Sequence, residues 1–246
     1  LHDALPIYLA PLFLTMLENA DVALLDFAAK AESNAAQGKF FEAMQELRRK
    51  RAASEETFFK SVERGFRDFV NGTASGDETG TAEAGGPTGF DANKLSLVEK
   101  HEVEAELPVQ NMVAKANANY AEQLYGLNQR LAVVNGGARL ADAALPGGPV
   151  QLAEAARTAF NLMDMDGKTR MVIYAVFERY VMRELLAMYE EYNRRLVNAG
   201  VLPHLRYEIR KLHDPRKVRG DGRSGTAGAA SETAVAGAGA HPSTPG

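Results

Sequence analysis

The chain has 246 residues, a hydrophobic fraction of 46% and a net charge of −4. This length accommodates one or two domains, and so mild a charge indicates no strong attraction to nucleic acid or to acidic membranes. The absence of cysteine excludes thiol catalysis, disulfides, iron–sulfur clusters and cysteine-bound zinc. The apolar stretch Leu5–Leu17 contains two prolines and is shorter than the roughly 20 residues of a membrane span. We therefore expect a cytoplasmic protein without a membrane segment.

The first seven residues fit no helix start and do not begin with methionine; they are Leu-His-Asp-Ala-Leu-Pro-Ile. They resemble translated sequencing-adapter sequence, which occurs at the ends of assembled reading frames. They also lack the basic flank of a signal peptide. We interpret residues 1–7 as a non-native leader and expect them to take no part in the fold.

Residues 8–71 show the apolar periodicity of two helices. From Pro11, apolar residues recur every three or four positions, which predicts a helix over residues 11–35 with proline in its first turn. Gly38 is expected to end this helix, and a second apolar stripe follows from Phe40 to Phe69. Two such helices joined by a short connection predict an antiparallel helical hairpin.

Residues 72–93 consist mostly of Gly, Thr, Ala, Ser, Asp and Glu, and residues 213–246 have a similar composition. Such segments bury too little apolar surface to offset the entropy lost on ordering. We predict a flexible linker at 72–93 and a disordered tail at 213–246. Between them, residues 94–212 regain helical periodicity and are expected to form a helical bundle.

The bundle is predicted to be built around one long helix from Asp166 to Asn198. Apolar residues cover a wide face of this segment, and Gly200 follows as a helix stop. At 1.5 Å per residue its length approaches about 50 Å. A further helix is expected from Pro108 to Asn135, where Asn-Gly-Gly ends it. The predicted fold class is all-α.

Patterns that carry catalysis or metal binding fail on spacing. Gly167-Lys168-Thr169 imitates the end of a phosphate-binding loop, but Leu162 stands where that loop needs glycine, and we interpret Asp166 as a helix cap. His101 lies in an acidic stretch without the Glu-x-x-His or His-Glu-x-x-His spacing of a metal site. We therefore predict no catalytic, cofactor or metal site.

Two charged segments are the candidate contact surfaces. The basic one is a run of four residues, and the acidic one lies between residues 99 and 106. Their opposite charges can contact a partner protein or pair with each other inside the molecule. The candidate residues are Arg48, Arg49, Lys50, Arg51, Glu99, Glu102 and Glu106.

Three motifs carry a family resemblance over residues 9–212. They are Phe40-Phe41-Glu42-Ala43-Met44-Gln45-Glu46-Leu47-Arg48, Leu127-Asn128-Gln129-Arg130-Leu131 and Ala199-Gly200-Val201-Leu202-Pro203. They resemble the N-terminal part of a large proteobacterial protein family of unknown function, whose members often carry the automatic label thymidine phosphorylase. The Lys-His-Ser-Thr-Gly-Gly signature of that enzyme is absent, because Lys100-His101 is followed by Glu-Val-Glu. The resemblance implies that further sequence follows this piece.

We therefore predict a non-enzymatic interaction or regulatory module of a larger cytoplasmic bacterial protein, with another protein as its partner. The alternative is a nucleic-acid-associated protein that binds through Arg48–Arg51 and the basic stretch 206–219, with the salt dependence that phosphate contacts impose. An enzyme is the least favoured class, since no catalytic constellation is found. The sequence leaves the oligomeric state open.

Overall fold

The structure, a computed structural model, describes residues 5–72 and 100–205, with side chains at 5–72 and 107–205. The described residues form seven α-helices, a short 3-10 turn and a π-helical segment, and no strand occurs among them. The predicted all-α fold is confirmed. The helices are α1 (Leu5–Ala29), α2 (Asn34–Val70), α3 (Lys100–Asn119), α4 (Ala121–Val134), α5 (Pro149–Phe160), α6 (Gly167–Phe177) and α7 (Leu186–Asn198).

Helix α1 begins at Leu5, earlier than the start predicted at Pro11, so that proline lies inside the helix. Proline at this position removes one backbone donor but does not end the helix. Leu9 and Phe13, on either side of it, are both fully buried, so packing holds the chain helical across the proline. Leu5 is also buried. The last residues of the predicted leader thus join the fold, while the non-native origin of 1–7 stays a prediction.

Helix α2 runs without interruption from Asn34 to Val70. Its N-terminus is capped by Ser33, whose Oγ accepts a hydrogen bond from the N–H of Ala36 at 3.2 Å. Gly38, which was expected to separate two helices, lies inside the second turn of α2. That prediction was wrong, since glycine in a helix costs only about 1 kcal/mol relative to alanine and tertiary packing readily offsets it. Helices α1 and α2 form the predicted hairpin.

One apolar core joins the hairpin to the later helices. Helix α5 packs against α2, and α6 packs against α1. At the centre, the ring of Phe58 on α2 lies 4.4 Å from that of Phe13 and 5.9 Å from that of Phe177, measured between centroids. Helices on both sides of residues 73–99 therefore share a core. The linker and tail boundaries stay predictions, because 73–99 and 206–246 lie outside the described residues.

The segment predicted as one helix from Asp166 to Asn198 is divided into three parts. Helix α6 ends at Phe177, Glu178–Met182 form a π-helical segment, and α7 begins at Leu186 after a turn. The prediction of a continuous helix was wrong. Apolar periodicity reports which residues are buried, and in a segment buried on more than one side it does not reveal the extra residue that a π-helical turn accommodates.

The helix predicted from Pro108 to Asn135 is also divided. Helix α3 passes through Pro108, and Tyr120 separates it from α4. The hydroxyl oxygen of Tyr120 accepts a hydrogen bond from the backbone N–H of Leu185 at 3.3 Å, and its ring centroid lies 5.5 Å from that of Tyr189. These long-range contacts hold Tyr120 outside helical geometry. The predicted stop at Asn135 is confirmed, since α4 ends one residue before it.

By length and composition alone, α1 is long and apolar enough to cross a membrane. Its 25 residues include an 18-residue window with a mean hydropathy of 1.3. It is the one helix of this kind among the described residues. In this fold eight of its 25 residues are buried. The same composition is shared by membrane spans and signal sequences.

Candidate functional site

The predicted basic run lies on α2, where three of its four residues pair with carboxylates. Arg48 Nε lies 3.0 Å from Asp21 Oδ2, and Arg51 Nη2 lies 3.8 Å from Glu18 Oε1. Arg49 pairs with a glutamate one turn earlier in α2. Because Asp21 and Glu18 belong to α1, much of the basic charge is engaged across the hairpin. Such surface pairs are worth about 0–1 kcal/mol each, so a strong anionic partner can still displace them.

The predicted acidic residues are described only in part. Glu99 lies outside the described residues, whereas Glu102 and Glu106 lie in the first turns of α3, with side chains that the structure does not describe. Pairing between this segment and the basic run therefore stays a prediction. Within the described part of the chain, no group of three or more His, Asp or Glu side chains is placed to hold a metal ion.

The imitation of a phosphate-binding loop has a structural explanation. Gly167 begins helix α6, and Asp166 is its N-cap residue, as predicted. Asp166 Oδ1 accepts hydrogen bonds from the backbone N–H of Thr169 at 2.9 Å and from its hydroxyl at 2.7 Å. A carboxylate that occupies the free N–H groups of a helix start also repels a phosphate from the same position.

An apolar groove of about 540 Å³ runs between α1 and α6 and reaches the π-helical segment. Sequence reasoning did not identify it. Val22 on α1 is 60% exposed and Met171 on α6 is 51% exposed, although both are apolar. The one sequence signal was that apolar residues of α1 extend beyond a single face. The apolar lining residues are Val22, Ala23, Phe27, Met171, Val172, Ala175 and Val176.

The two walls of the groove carry opposite charges. Asp26 lines the α1 wall, while Lys168 and Arg179 line the opposite wall, and all three side chains are exposed. The Arg179 guanidinium lies 5.4 Å from the ring centre of Tyr180, which also lines the groove. This cation–π contact keeps the arginine beside the apolar floor. The groove thus combines an apolar floor with an acidic wall and a basic wall.

The π-helical segment beside the groove is held by Glu178. Its backbone carbonyl accepts a hydrogen bond from the N–H of Arg183, five residues later, at 3.1 Å. Its carboxylate accepts from Arg183 at 2.8 Å and from Lys115 on α3 at 3.0 and 3.1 Å. Burial raises the pKa of Glu178, but the hydrogen bonds and charges of Arg183 and Lys115 lower the pKa by more, so it lies below its usual value. π-Helical turns occur frequently at functional sites.

Comparison with known proteins identifies a family and no activity. A family model described as "Protein of unknown function (DUF1631) N-terminal domain" matches residues 1–200. No curated protein and no solved structure matches the chain. The match confirms the resemblance to an N-terminal domain of unknown function that the three sequence motifs indicated. It assigns no role to any residue.

Proposed function

The chain belongs to this family, whose description names no activity, and we propose that it is a helical interaction module. In this proposal the groove between α1 and α6 docks an amphipathic helix of a partner protein. In this proposal the module is part of a larger cytoplasmic protein. The observation that carries it is an apolar groove left open beside an irregular helical segment. No catalytic chemistry is part of the proposal.

The apolar floor supplies the binding energy. Folded monomers rarely leave contiguous apolar patches open, and those that remain are often binding sites. Full burial of such a side chain is worth about 1.5–3 kcal/mol, and burying the exposed half of Val22 or Met171 against a partner contributes roughly half of that. An amphipathic helix presents apolar residues at positions i, i+3 or i+4 and i+7, which suits a groove between two helices.

The charges on the walls specify the kind of helix. Lys168 and Arg179 favour carboxylates on one edge of the partner helix, and Asp26 favours a basic residue on the other edge. Such rim charges contribute more to specificity and association rate than to affinity. The occupant we propose is therefore an amphipathic helix with an apolar stripe, an acidic edge facing α6 and a basic residue facing α1.

Binding of nucleic acid through the basic run is less well supported. Arg48, Arg49 and Arg51 already have carboxylate partners, and two of those carboxylates lie on the neighbouring helix. A phosphate backbone would have to approach this mixed-charge surface. The stretch 206–219, which the alternative also requires, lies outside the described residues.

The test is a selection of helical peptides from a display library against the full chain. The enriched peptides are then titrated against three variants by fluorescence anisotropy. Val22→Asp and Met171→Glu place charge in the groove, and Leu14→Asp is the matched control, since Leu14 is 42% exposed on α1 and does not line the groove. Exposed substitutions of this kind change stability by about 0.5 kcal/mol or less, so folding is preserved.

We expect the enriched peptides to carry an apolar stripe with Asp or Glu along one edge. Val22→Asp and Met171→Glu should weaken their binding by about tenfold or more, and Leu14→Asp should not. Peptides that bind all three variants equally would place the docking site elsewhere. Steeply salt-dependent binding of a fluorescent DNA duplex, without any selected peptide, would favour the nucleic-acid alternative.

A further inference from the structure

A second cavity, of about 270 Å³, lies between α4 and α7 and is unrelated to the groove. Its unusual member is Arg130, which is only 8% exposed. Arg130 Nη1 donates to the side-chain oxygen of Asn193 at 2.5 Å, whereas its buried Nε has no hydrogen-bond partner among the described residues. The cavity is lined by Glu122, Gln123, Tyr125, Gly126, Arg130, Glu190, Asn193 and Leu205.

The fold holds this guanidinium in a defined place. Asn193 Nδ2 donates to the backbone carbonyls of Gln123 and Tyr189 at 2.9 Å each, which fixes its oxygen toward Arg130. Gly126 leaves the necessary room, because a Cβ there would lie 2.8 Å from Arg130 Nη1. The position of the arginine is thus set by Asn193 and Gly126, and neither of them carries a charge.

A buried cation with only a neutral amide as partner is unusual, since buried charges are normally paired. Burial lowers the pKa of Arg130, and no neighbouring carboxylate opposes that effect. In the described part of the chain, no carboxylate lies within ion-pair distance of its guanidinium. Among the described residues, the guanidinium of Arg130 therefore has no anionic partner.

Two exposed carboxylates also line the cavity. Glu122 and Glu190 both line it, and both are exposed, whereas Arg130 is buried. A simple anion would gain from Arg130 but would be repelled by two glutamates. A ligand with a carboxylate at one end and a cation at the other complements both sets of charges.

The size of the cavity limits the ligand further. Binding sites for drug-sized molecules span about 300–1,000 Å³, so a cavity just below the lower limit suits a small molecule. Tyr125 and Leu205 add apolar surface for a side chain. We propose that this cavity binds a small zwitterion of the α-amino acid class, with its carboxylate on Arg130 and its ammonium group toward Glu122 and Glu190.

The test is isothermal titration calorimetry of the full chain with each of the common L-amino acids. Acetate and methylammonium serve as separate probes for the two charged ends. We expect at least one amino acid to bind saturably, and each half-probe to bind about tenfold more weakly or worse. Arg130→Gln should abolish binding, while Arg157→Gln, an exposed arginine on α5 away from the cavity, should not. Val22→Asp should also leave binding intact, which separates this site from the groove.

Removing a buried arginine can unfold the chain, so the exposed residue Glu190 provides a second test. Glu190→Gln should weaken the amino acid and leave acetate unchanged. Glu190→Lys should reverse the preference, so that succinate, a dicarboxylate, binds better than the amino acid. Absence of saturable binding by any amino acid would overturn the proposal. So would equal affinities for the wild-type chain and a folded Arg130→Gln variant.

Discussion

Helix α2 and the segment 167–198 are similar in length and were both predicted as helices, yet only α2 is continuous. Four of the five aromatic side chains in the segment 167–198 are buried, against two of the six in α2. Helix α2 buries one stripe and leaves the rest to solvent. The segment 167–198 is buried on more than one side, and its interruption directs α6 and α7 toward different neighbours.

Helix α7 has ion pairs at spacings of three and four, like those of α2, but the ion pair of the π-helical segment differs from them. Within α2, Lys60 pairs with Glu56 at a spacing of four residues, which a regular α-helix brings together. Glu178 pairs with Arg183 at a spacing of five residues. In a regular α-helix, two residues at that spacing point in directions about 140° apart around the axis. A π-helical turn brings such residues together. Ion pairs at a spacing of four residues therefore support a regular α-helix. The ion pair at a spacing of five residues accompanies the π-helical interruption between α6 and α7.

The largest effect expected from this comparison is at Phe177. Its ring is fully buried, with its centroid 5.9 Å from Phe58 and 5.8 Å from Phe160. Phe177→Ala should lower the free energy of unfolding by about 3–5 kcal/mol, because it removes a large side chain and leaves a cavity. Urea denaturation measures this. Phe41→Ala on the exposed side of α2 is the control and should cost less than about 1 kcal/mol. Equal losses would mean that the two regions contribute alike to the core.

An intermediate effect is expected at Glu178. Glu178→Gln should lower the free energy of unfolding by about 1–3 kcal/mol at neutral pH, since the charge-assisted hydrogen bonds from Arg183 and Lys115 are weakened. The folded pKa lies below the unfolded one, so this contribution is present above the unfolded pKa and is lost as pH falls through the folded pKa. The gap between wild type and variant should therefore close in acid.

Urea denaturation at several pH values between neutral and strongly acidic measures that gap. Glu56→Gln provides the control in α2, since its pair with Lys60 is fully solvated. It should have a much smaller effect at every pH. A gap at Glu178 that stays constant in acid would show that the carboxylate charge does not hold the π-helical segment.

Local signals account for what the sequence predicted correctly. The hairpin, the cap at Asp166 and the stop at Asn135 each depend on residues within a few positions of each other. The early start of α1 at Leu5 and the break at Tyr120 depend on packing against distant helices, which no local rule contains. The basic run was recognisable by composition, but its partners Asp21 and Glu18 were not, because they lie on a different helix. The open groove could not be predicted, because it depends on how α1 and α6 lie beside each other in the fold.

The smallest expected effects are at the N-caps of α2 and α6. The two effects differ because the cap of α2 makes only a local hydrogen bond, whereas the cap of α6 also contacts another helix. Ser33 caps α2 with one hydrogen bond at an exposed position. Asp166 caps α6 through Thr169 and also lies 3.4 Å from the ammonium group of Lys39 on α2. Ser33→Ala should lower the free energy of unfolding by about 0.5–1 kcal/mol, and Asp166→Ala by about 1–2 kcal/mol.

Thermal and urea denaturation of both variants, with Asp166→Asn as the control, separates the cap from the charge. Asparagine keeps the hydrogen bond to the helix N-terminus but not the pair with Lys39. Burial raises the pKa of Asp166, but the hydrogen bonds from Thr169 and Lys39 lower the pKa by more. The advantage of aspartate over asparagine should therefore be present at neutral pH and disappear as pH falls through its folded pKa. If Ser33→Ala proved as costly as Asp166→Ala, the cap alone would account for both sites, and the cross-helix pair would contribute nothing measurable.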